Sequence, residues 1–205
     1  MKAAVCDELI VRRASEADAA MLASVMAEAI SWGRLSQLGD KFNTIVHRHL
    51  ASSKYAITYV AERNAEILGY ASGVTDVSKF YREFLWHCGF AAAITLLPKV
   101  FKPSMLTAII RGLTYFPDAH PADPKAELLS FSVRTHAKGS GVGRAILAAT
   151  NREFKARGIT TVKIGTVEVN NEAANKHYVR MGGVVVRTVP FYKNSSVNVY
   201  TYDIP

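Results

Sequence analysis

The chain has 205 residues, 49% of them hydrophobic and 20% charged, so it can bury a core and is too apolar to stay disordered. Its longest uncharged apolar run, Cys88–Pro98, is about half a membrane-spanning helix, and Cys6 and Cys88 fit neither a metal-ligand spacing nor a disulfide framework. A net charge of +8 leaves three partner classes open: nucleic acid, a membrane surface or an anionic ligand.

The first residues carry Asp7 and Glu8 beside a short apolar patch, which is not the pattern of a signal peptide. A cytoplasmic protein with reduced thiols is the expectation. Leu9–Arg12 predicts a short strand. Ser15 then stands as a helix N-cap, with Asp18 at the third helical position. Leu22, Val25, Met26, Ala29 and Ile30 recur at helical spacing behind it. A second helix over about 35–52 places Leu38, Phe42, Ile45, Val46, His49 and Leu50 on one side. Tyr55–Arg63 and Ile67–Val74 flank Asn64-Ala65-Glu66 and predict a hairpin.

Residues 76–116 are apolar almost all round and interrupt an otherwise regular pattern, so they are expected to be an insertion. Pro98 and Pro103 divide them into two helices, Lys79–Leu97 and Ser104–Tyr115, because proline disfavours helix in the residue before it. The loop 117–125 follows. Glu127–Thr135 predicts a strand, and Gly141–Arg157 a helix whose inner face is Val142, Ile146, Leu147, Thr150 and Phe154. Thr160–Val167 reads as a strand, Glu172–Met181 as a helix, and Gly183–Val189 with Val197–Tyr202 as a terminal strand pair. The order is β-α-α-β-β-insert-β-α-β-α-β-β, a single domain over 1–205.

The most informative stretch is Lys138-Gly-Ser-Gly-Val-Gly143, between a strand and a helix. A dinucleotide fingerprint fails because Arg144 stands where its third glycine belongs, and a phosphate loop of the Gly-Lys-Ser/Thr kind fails because Gly143 is followed by Arg-Ala. What remains is a glycine-rich turn whose backbone N–H groups and helix N-terminus face one anion. A Cβ at Gly141 or Gly143 would hold a pyrophosphate away from those donors. Between Leu129 and Gly165 seven basic residues, among them Arg134, Lys138, Arg144 and Lys163, stand against one acid, Glu153. That is a positive field around a phosphate-bearing ligand, or else a solvated basic helix face. A pyrophosphate outside a dinucleotide suggests coenzyme A. No basic run interleaved with aromatics points to nucleic acid.

The stretch Val133-Arg-Thr-His-Ala-Lys138-Gly-Ser-Gly141-Val-Gly143 resembles the acetyl-CoA motif of the GNAT family of N-acetyltransferases, with Lys138 where that motif has Gln or Arg. Asn171-Glu-Ala-Ala174-Asn-Lys-His-Tyr178-Val-Arg-Met-Gly182 is similar to the family's second signature, with Gly183 where Phe is usual. The resemblance covers about residues 8–75 and 126–204 and leaves the insert outside. It implies an α+β fold: a central mixed, mostly antiparallel sheet flanked by helices, here with an apolar helical hairpin inserted.

It also implies acetyl-CoA as co-substrate. The pantetheine arm would pair with the backbone of Phe131, Ser132 and Val133. The pyrophosphate would sit on the N–H groups of Gly139, Ser140, Gly141, Val142 and Gly143, with Lys138 and Arg144 at the rim. Asn171, Ala174 and Tyr178 would meet the cofactor from the second signature. Transfer to an amine needs two proton movements, since an ammonium must lose a proton and the leaving thiolate gains from receiving one. Tyr178 matches the family's general acid. Glu127, six residues before Val133, resembles the glutamate base of its histone-type members; His136, His120 or a relayed water are the other bases. His177, about 100° round the helix from Tyr178, is expected at the surface.

The acceptor is expected to be a small-molecule amine, shaped by residues 31–50 and 76–120. The insert could extend the core, form a homodimer interface, act as a lid, or lie peripherally on a membrane through residues 79–116, where Trp86 and several Phe accompany Lys and Arg. Two other functions stand beside amine acetylation: an acyl-CoA-binding module without turnover, and transfer of a longer acyl chain. No metal site is expected.

Overall fold

A computed structural model describes residues 8–29, 38–100, 123–167, 171–190 and 196–205. Seven strands form one sheet: β1 (Ile10–Arg13), β2 (Ala56–Arg63), β3 (Glu66–Val74), β4 (Glu127–Val133), β5 (Thr161–Val167), β6 (Val184–Pro190) and β7 (Ser196–Asp203). Their order is β1-β2-β3-β4-β5-β7-β6, and every neighbouring pair is antiparallel except β4–β5. The helices are α1 (Ala19–Ala29), α2 (Asp40–Ser52), α3 (Val77–Val100), α4 (Val142–Ala156) and α5 (Glu172–Arg180). The element order and the mixed, mostly antiparallel sheet are those expected.

Two apolar layers sandwich the sheet. On one face Val142, Ile146, Leu147 and Phe154 of α4, all on the predicted inner face, pack with Ile57, Leu68, Leu128, Val162, Ile164 and Tyr178. On the other, Leu22, Val25 and Met26 of α1 cover Val60, Ile67 and Tyr70, while Phe80 of α3 joins Leu50, Ala56 and Val74. Gly73 lets α4 approach β3, since a Cβ there would overlap the Phe154 ring. Gly73→Ala should therefore cost roughly 1–3 kcal/mol by overpacking. Urea unfolding would measure this, and the cost should shrink in a Phe154→Leu background, where the ring that blocks the methyl is gone. An equal cost in both backgrounds would place the damage elsewhere.

Local chemistry accounts for the ends. Asp18 Oδ2 accepts the Ser15 N–H at 2.7 Å and also pairs with Arg12 at 2.8 Å, tying the entry of α1 to β1. Asn64 and Ala65, with φ of 53° and 63°, form a tight two-residue hairpin turn. Asp76 caps α3, its Oδ1 accepting the Lys79 N–H at 3.0 Å.

Two expectations need correcting. Helix α3 runs through Pro98 to Val100 instead of stopping before it. Pro98 lies close to the helix end on an exposed side shared with Ile94, so the single lost bond leaves the Ile94 carbonyl beside water. The predicted second helix, Ser104–Tyr115, and most of the loop after it lie outside the described residues. In α2 the buried side chains are Asn43, His47, His49 and Leu50, whereas Phe42 and Ile45 are only half-buried. Three polar residues turn inward there beside Leu50. The outer side of α3 exposes Leu85, Trp86, Phe90, Ile94 and Leu97. Among the described residues no helix is long and apolar enough to cross a membrane.

Candidate active site

The sheet opens in its middle. β4 and β5 share one partner pair, Glu127↔Lys163, supported by the Lys163 N–H to the Ala126 carbonyl at 3.0 Å. Beyond it both strands continue unpaired with each other, β4 to Val133 and β5 to Val167. On its other edge β4 stays paired to β3 up to Val133, but between Leu128 and Ser130 it carries one extra residue, Leu129. Such a bulge bends and twists the strand that holds it. The β5-facing backbone of Phe131, Ser132 and Val133 is thus left for a ligand that hydrogen-bonds like a strand.

The glycine turn stands at the open end of β4. The Arg134 N–H reaches the Leu68 carbonyl at 2.8 Å, a short 3-10 turn spans Thr135–Ala137, and α4 begins at Val142. Gly139 and Gly141 have φ of +82° and +86°, a region closed to most side chains. A Cβ at either would meet no protein atom within 4 Å, so both face open space. Gly143 is different. Its Cβ would stand 2.9 Å from the Phe131 ring, so this glycine lets the helix start close to β4 rather than clearing a ligand.

Ser140 spends its N–H and its hydroxyl on the Ala137 carbonyl, at 3.4 and 2.7 Å, and Ala145 is the first residue bonded back to Gly141, at 3.0 Å. The N–H groups of Gly139, Gly141, Val142, Gly143 and Arg144 have no backbone acceptor among the described residues. Lys138 and Arg144 are exposed beside them. Most of the rest of the basic segment is otherwise engaged. Arg134 bonds Glu28 of α1 at 2.5 Å and the Ile67 carbonyl at 2.9 Å, Arg157 pairs with Glu153 at 2.8 Å, and Lys163 is buried on the far face of the sheet. Glu28 also accepts the Thr135 N–H at 2.9 Å, a bond that lowers its pKa and fastens the loop to α1. The loop's positive field is therefore local.

Helix α5 brings up the second group. Asn171 occupies its N-cap position and donates its amide to Thr166 Oγ1 at 2.8 Å. Ala174 packs against the α4-side core. At the other end the Gly182 N–H bonds Val179 O and the Gly183 N–H bonds Tyr178 O, at 3.0 and 2.9 Å, with Gly182 at φ +88°. A Cβ on Gly183 would lie 2.7 Å from that Tyr178 carbonyl, which accounts for glycine at a position where the family pattern has Phe.

Tyr178 is 8% exposed, its ring 5.9 Å from that of Tyr200, and burial first, then the Tyr200 charge, pushes its hydroxyl up to about 12. It stays protonated as a donor. His177 is not a surface residue. Its ring stacks on Phe131 at 5.6 Å and 19°, and its Nε2 is buried without a hydrogen-bond partner among the described residues. Burial, aided by Arg180, lowers its pKa and keeps it neutral. The helical angle from Tyr178 gave no warning that β4 would lie on that side.

Glu127 is not a solvated strand end. Its side chain is 12% exposed, with Lys163 Nζ at 3.7 Å, and Lys163 also lies 3.6 Å from Asp123, which pairs with Arg187 at 2.5 Å. Burial pushes the Glu127 carboxyl up to about 7 and outweighs the opposing charge of Lys163. Strand alternation points it away from the layer that holds Leu128 and Tyr178. Glu127 and Tyr178 thus approach the parted strands from opposite faces. Of the other base candidates, His136 is 59% exposed and 3.7 Å from Glu66, and His120 lies outside the described residues.

The free N–H cluster, the outward-facing Gly139 and Gly141, the flanking Lys138 and Arg144, and the unpaired edge of β4 together fit a pyrophosphate carrying an extended arm. The Acetyltransferase (GNAT) family model matches residues 26–183. The ribosomal-protein-S18-alanine N-acetyltransferase of Escherichia coli shares the fold at a TM-score of 0.60 and 12% identity, over 96% of this chain and 94% of that one. An N-acetyltransferase from Staphylococcus aureus Mu50 gives 0.59 and 16%, over 97% and 99%. YncA from Salmonella typhimurium, solved with its cofactor acetyl-CoA, gives 0.56 and 15%, over 96% and 94%. No curated protein matches the chain. The structures share the fold and the family match covers most of the sequence, so the chain belongs to the GNAT family and is an acetyl-CoA-dependent N-acetyltransferase.

Proposed function

We propose that the protein acetylates the primary amine of a small-molecule acceptor by direct attack, with Tyr178 as general acid and Glu127 as general base. The observation that carries this reading is the parting of β4 from β5, with the anion-binding turn at one end and a buried carboxylate at the other. Six residues of strand separate Glu127 from Val133, about 20 Å, which suits an extended arm held between its phosphates and its reacting end.

Acetyl-CoA supplies an activated acyl group, whose C–S bond is exchanged for a C–N bond. The free backbone donors of Gly139, Gly141, Val142, Gly143 and Arg144 bind the pyrophosphate. The β4 edge orients the arm, and Asn171 and Ala174 line it from α5. Glu127, with a pKa near 7, takes a proton from the attacking amine on its side of the sheet. Tyr178, protonated at neutral pH, gives one to the departing sulfur. His177 holds Phe131 by stacking and so keeps the arm's strand in place.

Thiol release from acetyl-CoA, followed with a panel of primary amines, tests the reading. Release that depends on an added amine is expected. Stabilisation by acetyl-CoA without release across the panel would leave a binding module in place of an enzyme.

A further inference from the structure

The sheet face under α1 and α2 carries a polar row that neither the core nor the proton transfers use. Thr58, Ser72 and Ser130 are successive cross-strand partners on β2, β3 and β4, with the pair Tyr70↔Ser132 beside them on the same face. Four members are tied: Thr58 Oγ1 lies 2.8 Å from the Leu50 carbonyl and 3.2 Å from Ser72 Oγ, and the Tyr70 hydroxyl lies 2.6 Å from Ser130 Oγ. Above the row α2 sets Asn43 and His47 one turn apart, and the His47 ring meets Tyr70 edge-on at 5.0 Å.

The groups between α2 and this part of β4 are deeply buried. Asn43, His47 and Ser132 are 1%, 2% and 4% exposed. Both amide atoms of Asn43 and Nδ1 of His47 have no hydrogen-bond partner among the described residues, and Ser132 Oγ lies beside the Tyr70 hydroxyl. Buried polar atoms without partners oppose folding, and leucines at 43 and 47 would serve the core better. The row also carries no charge: burial pulls His47 down to about 4, so it is neutral at physiological pH. It reaches the reaction side of the molecule, because half-buried Ser130 follows the β4 bulge on the face that Glu127 shares.

We infer that this row is the acceptor subsite, and that the acceptor is an amine whose non-reacting part bears uncharged hydroxyl or amide groups bonded by Asn43, His47 and Ser132. The inference rests on the proposed transfer to an amine and adds the acceptor's chemical class. Mixed neutral donors and acceptors suit hydroxyls and amides, whereas a phosphate, a carboxylate or a second ammonium would find no countercharge in the row.

The test uses the full chain, acetyl-CoA and two sets of amines. Glucosamine and 2-amino-1,3-propanediol form the uncharged set; glucosamine 6-phosphate, glutamate and spermidine form the charged set. Expected is a kcat/KM at least about ten-fold higher for the first set, and an acceptor KM raised about ten-fold or more in Asn43→Leu and in His47→Leu. Both variants should keep the wild-type thermal shift with acetyl-CoA and unfold at or above the wild-type temperature. Turnover confined to the charged set, an unchanged KM in both variants, or a lowered unfolding temperature in both overturns the subsite while leaving acetyl transfer intact. No release with any amine, and no extra stabilisation of the CoA complex by glucosamine or 2-amino-1,3-propanediol, overturns the subsite and the transfer reading together.

Discussion

Tyr178→Phe is expected to lower kcat by roughly 100- to 10,000-fold, the range for losing a positioned general acid. The substitution removes one oxygen and keeps the ring, so the packing against Tyr200 and the core beside α4 persists. Binding of acetyl-CoA should change little, because the proposed anchors are the backbone of the glycine turn and the edge of β4. The expected signature is therefore a kcat effect with a near-normal thermal shift. The high pKa of Tyr178 adds a second feature: at about 12 it lies above the working range, so no loss of activity should track its ionisation between neutral pH and about 10. Steady-state thiol release beside ligand-dependent unfolding measures both. Unchanged turnover in the variant would remove Tyr178 from the chemistry and leave it a core residue.

Glu127→Gln should have the next largest effect, read best as a pH profile. A base works only when unprotonated, so kcat/KM in the wild type should rise with pH through about 7 and then level. In Glu127→Gln that limb should vanish and the plateau should fall about 100-fold or more. Lys163 provides an independent check on sign. Its positive charge 3.7 Å away lowers the Glu127 pKa against the stronger pull of burial, so Lys163→Met should move the limb to higher pH. A limb that follows the acceptor's own ammonium and survives in Glu127→Gln would point instead to a relayed water as base.

Much of this architecture can be read from local pattern. The inner face of α4 is a clean helical stripe, and Asn64 beside two β-rich runs announces its hairpin. The turn within Lys138–Gly143 is legible because the left-handed backbone at Gly139 and Gly141 calls for glycine, which is its visible mark. What pattern misses is set by tertiary neighbours. Asn43 and His47 look like the solvent side of an amphipathic helix, and only the polar row on β2–β4 explains why they turn inward. Lys163 in a strand reads as part of a basic field, yet strand alternation carries it to the opposite face, beside Asp123 and Glu127. His177 is one residue from a signature tyrosine, and its place against Phe131 depends on how α5 leans over the parted strands. In each case the missing information is which element lies across the gap.

The Gly141 position tests the central claim most directly, through thermal unfolding of the wild type and Gly141→Val with and without acetyl-CoA. A Cβ there touches no protein atom, but it would stand among the N–H donors at φ +86°, where a β-branched residue is strained. At about 100 times its dissociation constant the ligand should add roughly 2.7 kcal/mol to the wild type, a rise of about 5–11 °C for a domain of this size. Gly141→Val should unfold cooperatively at a somewhat lower temperature and show little or no rise. No shift in the wild type, or the same shift in both proteins, would contradict the assignment of this turn as the seat of the pyrophosphate.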